Sequence, residues 1–164
     1  MKTNNRERTF QWDNPMEGAK QALQMSGLAY LQAMSDGQIP FPPLLHTLDF
    51  KPTLLEKGKV IFSFQPQEFH YNPIGSVHGG VISAILDSAM GCTLHSILDA
   101  GTGYTTLELK VNFLKAVTTK NEELHAVGKI IHAGGRTALV EAQLIDNNNT
   151  VYAHGVSTCM IFKS

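Results

Sequence analysis

Two features of this 164-residue sequence are suited to chemistry: the triplet His78-Gly79-Gly80 and, eight residues beyond its first glycine, Asp87. Glycines at the start of a helix let a ligand come close to the backbone, and first-turn N–H groups have no intrahelical partner. With the helix dipole they offer a site for a carbonyl oxygen or an oxyanion. Asp87 is the single formally charged residue between Gly79 and Leu98. A carboxylate in apolar surroundings must have partners, face a cavity or be protonated, and catalytic acids and bases are found in such places. Glycine used only for tight packing, and an Asp bonded to a turn or to a neighbouring subunit, are the plainer readings of the same residues.

The two features constrain each other. Eight residues of helix span about 12 Å, more than an Asp side chain can bridge. If Gly79 and Asp87 act on one carbonyl, they come from two copies of the chain with their helices antiparallel. A dimer with shared sites is therefore expected.

The element that carries them is a helix over Gly79 to Leu98, with Ile82, Ile85, Leu86, Ala89, Met90, Leu94, Ile97 and Leu98 apolar nearly all round. Such a helix must be enclosed by protein. A mid-segment Asp costs about 2.5–3.5 kcal/mol in a bilayer, and Ser83, Ser88, Ser96 and His95 add to it, so no membrane span is expected. Around the helix the pattern is strand-like. Val60, Phe62 and Phe64 alternate with Ile61 and Ser63, and Leu107, Leu109, Val111 and Phe113 are expected on one face opposite Glu108, Lys110 and Asn112. Runs near 122–132, 136–145 and 151–162 follow, separated by turns at Gly134-Gly135 and Asp146-Asn147-Asn148-Asn149.

Residues 1–43 form a separate extension. Asn14-Pro15-Met16-Glu17 is a helix start, and Met16, Ala19, Leu23, Gly27, Tyr30 and Met34 make one helical stripe ending at Asp36-Gly37. Pro40-Phe41-Pro42-Pro43 is an extended connector to a main domain over 44–164. The layout is α+β: an antiparallel sheet long enough to curl around one helix.

Composition narrows the function classes. Hydrophobic residues make up 43% and charged residues 16%, with a net charge of −1 and no basic stripe, so a nucleic-acid partner is not expected. Cys92 and Cys159 cannot make a disulfide framework, and the histidines at 46, 70, 95, 125, 132 and 154 lack metal-ligand spacing, so no metal or cofactor is expected. Lys2, Arg6 and Arg8 are followed by no apolar run of signal-peptide length, which points to the cytoplasm. Gly75-Ser76-Val77-His78-Gly79 is no nucleophile elbow, because its serine stands one place early.

Asn72-Pro73-Ile74-Gly75-Ser76-Val77-His78-Gly79-Gly80 followed by Asp87 resembles the signature of PaaI-like hotdog-fold acyl-CoA thioesterases. Thr105-Thr106-Leu107-Glu108-Leu109-Lys110-Val111-Asn112-Phe113-Leu114 is similar to the strand that follows the helix in that family. The resemblance covers about 44–162. It implies a hotdog fold, a five- or six-stranded antiparallel sheet wrapped around the central helix, in dimers that often pair into tetramers. It also implies hydrolysis of acyl-CoA without metal or cofactor. In that pattern the Gly79 N–H polarises the thioester carbonyl, with Asn72 and His78 of the same subunit beside it and Gly80 next in the turn. Asp87 of the other subunit is general base or nucleophile, and Thr106, with Thr105 adjacent, positions the water. Gly135 and Arg136 resemble the turn near bound CoA, where an arginine meets a phosphate. An acyl-thioester hydratase on the same fold, using His78 with an acid, and a non-catalytic acyl-CoA-binding protein are the alternatives.

Overall fold

The computed structural model describes residues 5–163. Lys2, one of the three basic residues weighed for a leader, lies outside them. Three short helices come first: α1 (Pro15–Gln21), α2 (Gly27–Ser35) and α3 (Pro43–Leu48). Strands β1 (Phe50–Glu56) and β2 (Lys59–Phe64) lead through a single 3-10 turn to the long helix α4 (Gly79–His95). Four long strands complete the chain: β3 (Thr102–Phe113), β4 (Leu124–Ala133), β5 (Thr137–Ile145) and β6 (Val151–Lys163).

The strands form one six-stranded sheet in the order β1-β2-β4-β5-β6-β3, antiparallel throughout. The sheet curls around α4, which packs against β2, β3, β4, β5 and β6. Ile85, Leu86, Ala89, Met90 and Leu94 of α4 are completely buried, as are Val60, Phe64, Leu124, Val140 and Leu144 from the sheet. This is the enclosure that an all-round apolar helix requires. One side of α4, carrying Ser83, Ala84, Asp87 and Ser88, is only half-buried.

Close approach of helix and sheet depends on Gly128 of β4. A Cβ there would lie 2.1 Å from the Thr93 Oγ1 and 2.6 Å from the Ala89 carbonyl oxygen. The Thr93 hydroxyl also accepts a hydrogen bond from the Val60 N–H at 3.2 Å, tying α4 to β2.

The extension departs from a single helix. α1 is capped by the Asn14 side chain, which accepts from the Met16 N–H. The chain then turns and restarts as α2, where the Ser26 side chain accepts from the Ala29 N–H. The break has a packing cause. The Gly27 N–H donates to the Leu98 carbonyl, and a Cβ on Gly27 would lie 1.8 Å from the His95 carbonyl oxygen. The start of α2 is thus pressed onto the end of α4, which a straight continuation of α1 would not permit. The proline-rich connector is extended only in part, because Pro43 opens α3. No helix among the described residues is long and apolar enough to cross a membrane.

β3 also departs from the expected alternation. Its register against β6 shifts between Thr106 and Glu108, leaving Leu107 as the extra residue of a bulge. Leu107 is 58% exposed, whereas Leu109 and Val111 pack against the core. Before the bulge the even-numbered Tyr104 and Thr106 face α4; beyond it the odd-numbered residues do.

Candidate active site

β3 runs antiparallel to α4, and three contacts mark the alignment. Phe113 packs over Gly79, where a Cβ would lie 3.0 Å from the ring. Thr106 meets Asp87, and Tyr104 meets Gly91, where a Cβ would lie 2.4 Å from the phenol oxygen. Each step down the helix therefore has a matching step along the strand.

Among the described residues Asp87 is held by one bond: the Thr106 hydroxyl donates to its Oδ1 at 3.0 Å. The pairing selects Thr106 over Thr105, because adjacent strand residues point to opposite faces and Thr105 is exposed. The carboxylate opens into a cavity of about 220 Å3 that Ser88, Cys92, Tyr104 and Thr106 also line. Burial, and secondarily the Asp87 charge, push the Cys92 thiol up to about 12, so it stays protonated and inert. Burial likewise pushes the Tyr104 phenol well above its ordinary range.

At the other end of the pair, His78 is the N-cap of α4, its Nδ1 accepting from the Gly80 N–H at 2.9 Å. That bond occupies the Gly80 donor. The Gly79 N–H makes no hydrogen bond among the described residues and remains available to an acceptor. Asn72 and Gly79 line a common hollow of about 300 Å3 with Phe113 and Lys115. The Asn72 side chain shapes the loop that leads there: its Oδ1 accepts from Ile74 N–H and Ser76 N–H, and its Nδ2 donates to the Ser76 hydroxyl.

The Asp87 cavity and the Gly79 hollow share no residue within one chain. Gly135 and Arg136 sit exposed in the β4–β5 turn, where the Arg136 carbonyl accepts from the Ile161 N–H, and neither lines the Asp87 or the Gly79 hollow. Two larger hollows, of about 640 and 720 Å3, lie along residues 6–11 and contain neither Asp87 nor Gly79. Tyr104, unremarked in the sequence, belongs to the site. The signal for it was its spacing of two from Thr106, which puts both on one face of a strand.

The thioesterase superfamily model matches residues 74–153, from the loop before α4 into β6. Over that stretch the chain is similar to the thioesterase superfamily. A protein of Saccharolobus solfataricus named as an esterase is 27% identical over 117 residues, spanning 71% of this chain and 81% of its own length. Among solved structures, a Ralstonia eutropha protein named as a thioesterase related to phenylacetic acid degradation superposes with TM-score 0.72 at 24% identity. It covers 80% of this chain and 98% of that one. The E. coli PaaI protein from the phenylacetic acid degradation operon gives TM-score 0.72 at 16% identity, over 85% of this chain and 97% of its own. The sheet wrapped around α4 is the hotdog fold of these structures.

Proposed function

We propose that this protein hydrolyses acyl-CoA thioesters, as a dimer with Asp87 of one chain acting on a carbonyl bound at Gly79 of the other. The observation that carries this reading is the Thr106–Asp87 bond on a helix whose N-terminal Gly79 N–H is unoccupied. The spacing along β3 supports the sharing. β3 is an edge strand, with β6 on one side and an open edge on the other, and Leu107, Phe113 and Leu114 are exposed along it. A long apolar edge left open invites pairing with another chain. If two copies pair antiparallel about a two-fold axis between Leu109 and Lys110, Thr106 of one lies opposite Phe113 of the other. Asp87 of the first is then level with Gly79 of the second, because those are the residues the two strand positions touch.

In that arrangement the thioester carbonyl oxygen accepts from the Gly79 N–H, and the helix dipole favours the negative charge that develops there. Thr106 fixes the Asp87 carboxylate. As general base, Asp87 takes a proton from water while the water oxygen bonds to the carbonyl carbon. Collapse of the tetrahedral species breaks the C–S bond, and the CoA thiolate recovers that proton from Asp87. As nucleophile, Asp87 instead bonds the acyl carbon directly, releasing CoA thiolate, and water then cleaves the mixed anhydride. Rapid-quench single turnovers distinguish the two by the presence of an acyl-enzyme. Arg136 is read as a phosphate contact for CoA. No cofactor enters either route.

A hydratase reading is disfavoured by His78. Its Nδ1 accepts from Gly80, so in the neutral ring Nε2 carries the proton and cannot serve as the base that such chemistry needs. Thiol release from a panel of acyl-CoAs, compared between wild type and Asp87→Asn, tests the proposal. Release that survives the substitution would refute the role of Asp87, and no release from any acyl-CoA would refute the function.

A further inference from the structure

The cavity that holds Asp87 continues away from the carboxylate into apolar surface. On one side Tyr104 reaches Gly91, one helical turn beyond Asp87, and its hydroxyl makes no hydrogen bond among the described residues. The opposite wall comes from the extension, through Leu31 and Met34 of α2 and Phe41 of the connector, and from Leu44 of α3 just beyond it. Leu31 and Met34 are buried, so this wall is fixed by packing, while Leu44 is 45% exposed at the rim.

We infer that the N-terminal extension, together with the start of α3, is the gauge that sets which acyl group this protein accepts. Residues 31–44 wall the cavity into which the acyl chain passes from the carbonyl at Asp87, and they admit an apolar group of limited bulk. The inference rests on the acyl-CoA reading above and names its substrate class. A cavity of roughly 150 Å3 lined by Leu, Ile and Phe takes one benzene. The cavity here, about 220 Å3, therefore takes a ring with one or two further carbons, or an unbranched chain of about six to eight carbons. Anionic acyl groups find no cation in this lining, and long chains run into α2 and α3.

The test uses S-alkyl-CoA thioethers from butyl to hexadecyl, which bind without being hydrolysed, measured by calorimetry on the full chain. Affinity should climb by about fourfold per added carbon, the gain expected of methylene burial, and level off near octyl. Leu44→Trp, at a half-exposed position where folding is least at risk, should move that plateau at least two carbons shorter. Met34→Ala should move it longer. Affinity indifferent to chain length, or a plateau unmoved in a folded Leu44→Trp variant, overturns the inference. Asp87-dependent thiol release would then still uphold the hydrolase reading. A plateau that moves as stated, in a protein that releases no thiol, upholds the gauge and removes the hydrolase.

Discussion

A carboxylate on a mostly apolar helix is useful only if something orients it, and here that is one hydroxyl from β3. Thr106→Val removes the donor at nearly constant volume and should lower kcat by about tenfold or more with little change in KM, whereas Thr106→Ser should retain most of the rate. Equal loss in both variants, measured by steady-state thiol release, would mean that the hydroxyl is not what matters. Asp87→Asn should cost about 10²–10⁴ in kcat while leaving thioether binding intact. Asp87 stood out in the sequence because one charge in a twenty-residue apolar run is conspicuous, and the structure sets it at a cavity beside Thr106. The choice between Thr105 and Thr106 was not, since it depends on which face of β3 meets α4. Tyr104 escaped for a different reason, because a tyrosine near the start of a strand looks like ordinary packing until its neighbour in space is known.

Two buried histidines add a pH dependence. Burial lowers His70 despite the Leu48 carbonyl that its Nε2–H contacts, and burial lowers His95, whose ring nitrogens have no hydrogen-bond partner among the described residues. Both take up protons less readily in the folded state than when unfolded. The stability they confer is present above the unfolded value of about 6.5 and is lost as pH falls below it, through the depressed folded values. Urea midpoints should therefore drop between pH 7.5 and 5.5. His95→Phe keeps an aromatic ring between Tyr30 and Tyr104, leaves no buried imidazole to charge, and should shrink that drop. An undiminished drop would assign the acid sensitivity elsewhere.

The elements that were easiest to read are those whose pattern answers to one neighbour. α4 answers to a sheet on almost every side, and β4, β5 and β6 to the helix on one face. The failures came where two neighbours compete. The apolar stripe over 16–34 has a helical period, yet the chain breaks at 22–26 because Gly27 must meet the end of α4. β1 was unmarked because it carries Pro52 and a register shift next to it, both tolerated on an edge strand. The alternation in β3 was read straight through Leu107 because a bulge leaves no mark in side-chain type. Tight spots of this kind can be weighed directly. Gly128→Ala places a methyl group against a backbone carbonyl of α4, which cannot move without the helix, and should cost about 3 kcal/mol. For a chain of this length that is a fall of roughly 6–12 °C in Tm by differential scanning calorimetry. An unchanged Tm would show that helix and sheet can part at little cost.

For the molecule as a whole, the sequence already implied that one chain is not enough if Gly79 and Asp87 act together, since they are too far apart along one helix. The open edge of β3 is the route proposed above by which two chains would supply the missing distance. Asp87→Asn and Asn72→Ala variants, each weakly active alone, should recover activity when mixed and allowed to exchange. Half the dimers are then mixed and each holds one intact site of two, so about a quarter of wild-type activity is expected. No recovery, with exchange confirmed by mass, would place the whole site inside one chain. Sedimentation of the wild type should give at least twice the 18.0 kDa of the chain.

Under the shared-site proposal, the separation of the two hollows within one chain would also tie catalysis to abundance. A lone chain would hold a base without a carbonyl site and a carbonyl site without a base, and would be inert however well folded. Well below the dimer dissociation constant, the fraction of chains paired falls in proportion to concentration, and total activity falls with its square. Expression level would then act as a threshold, and a freshly made chain would gain its activity only on meeting a second.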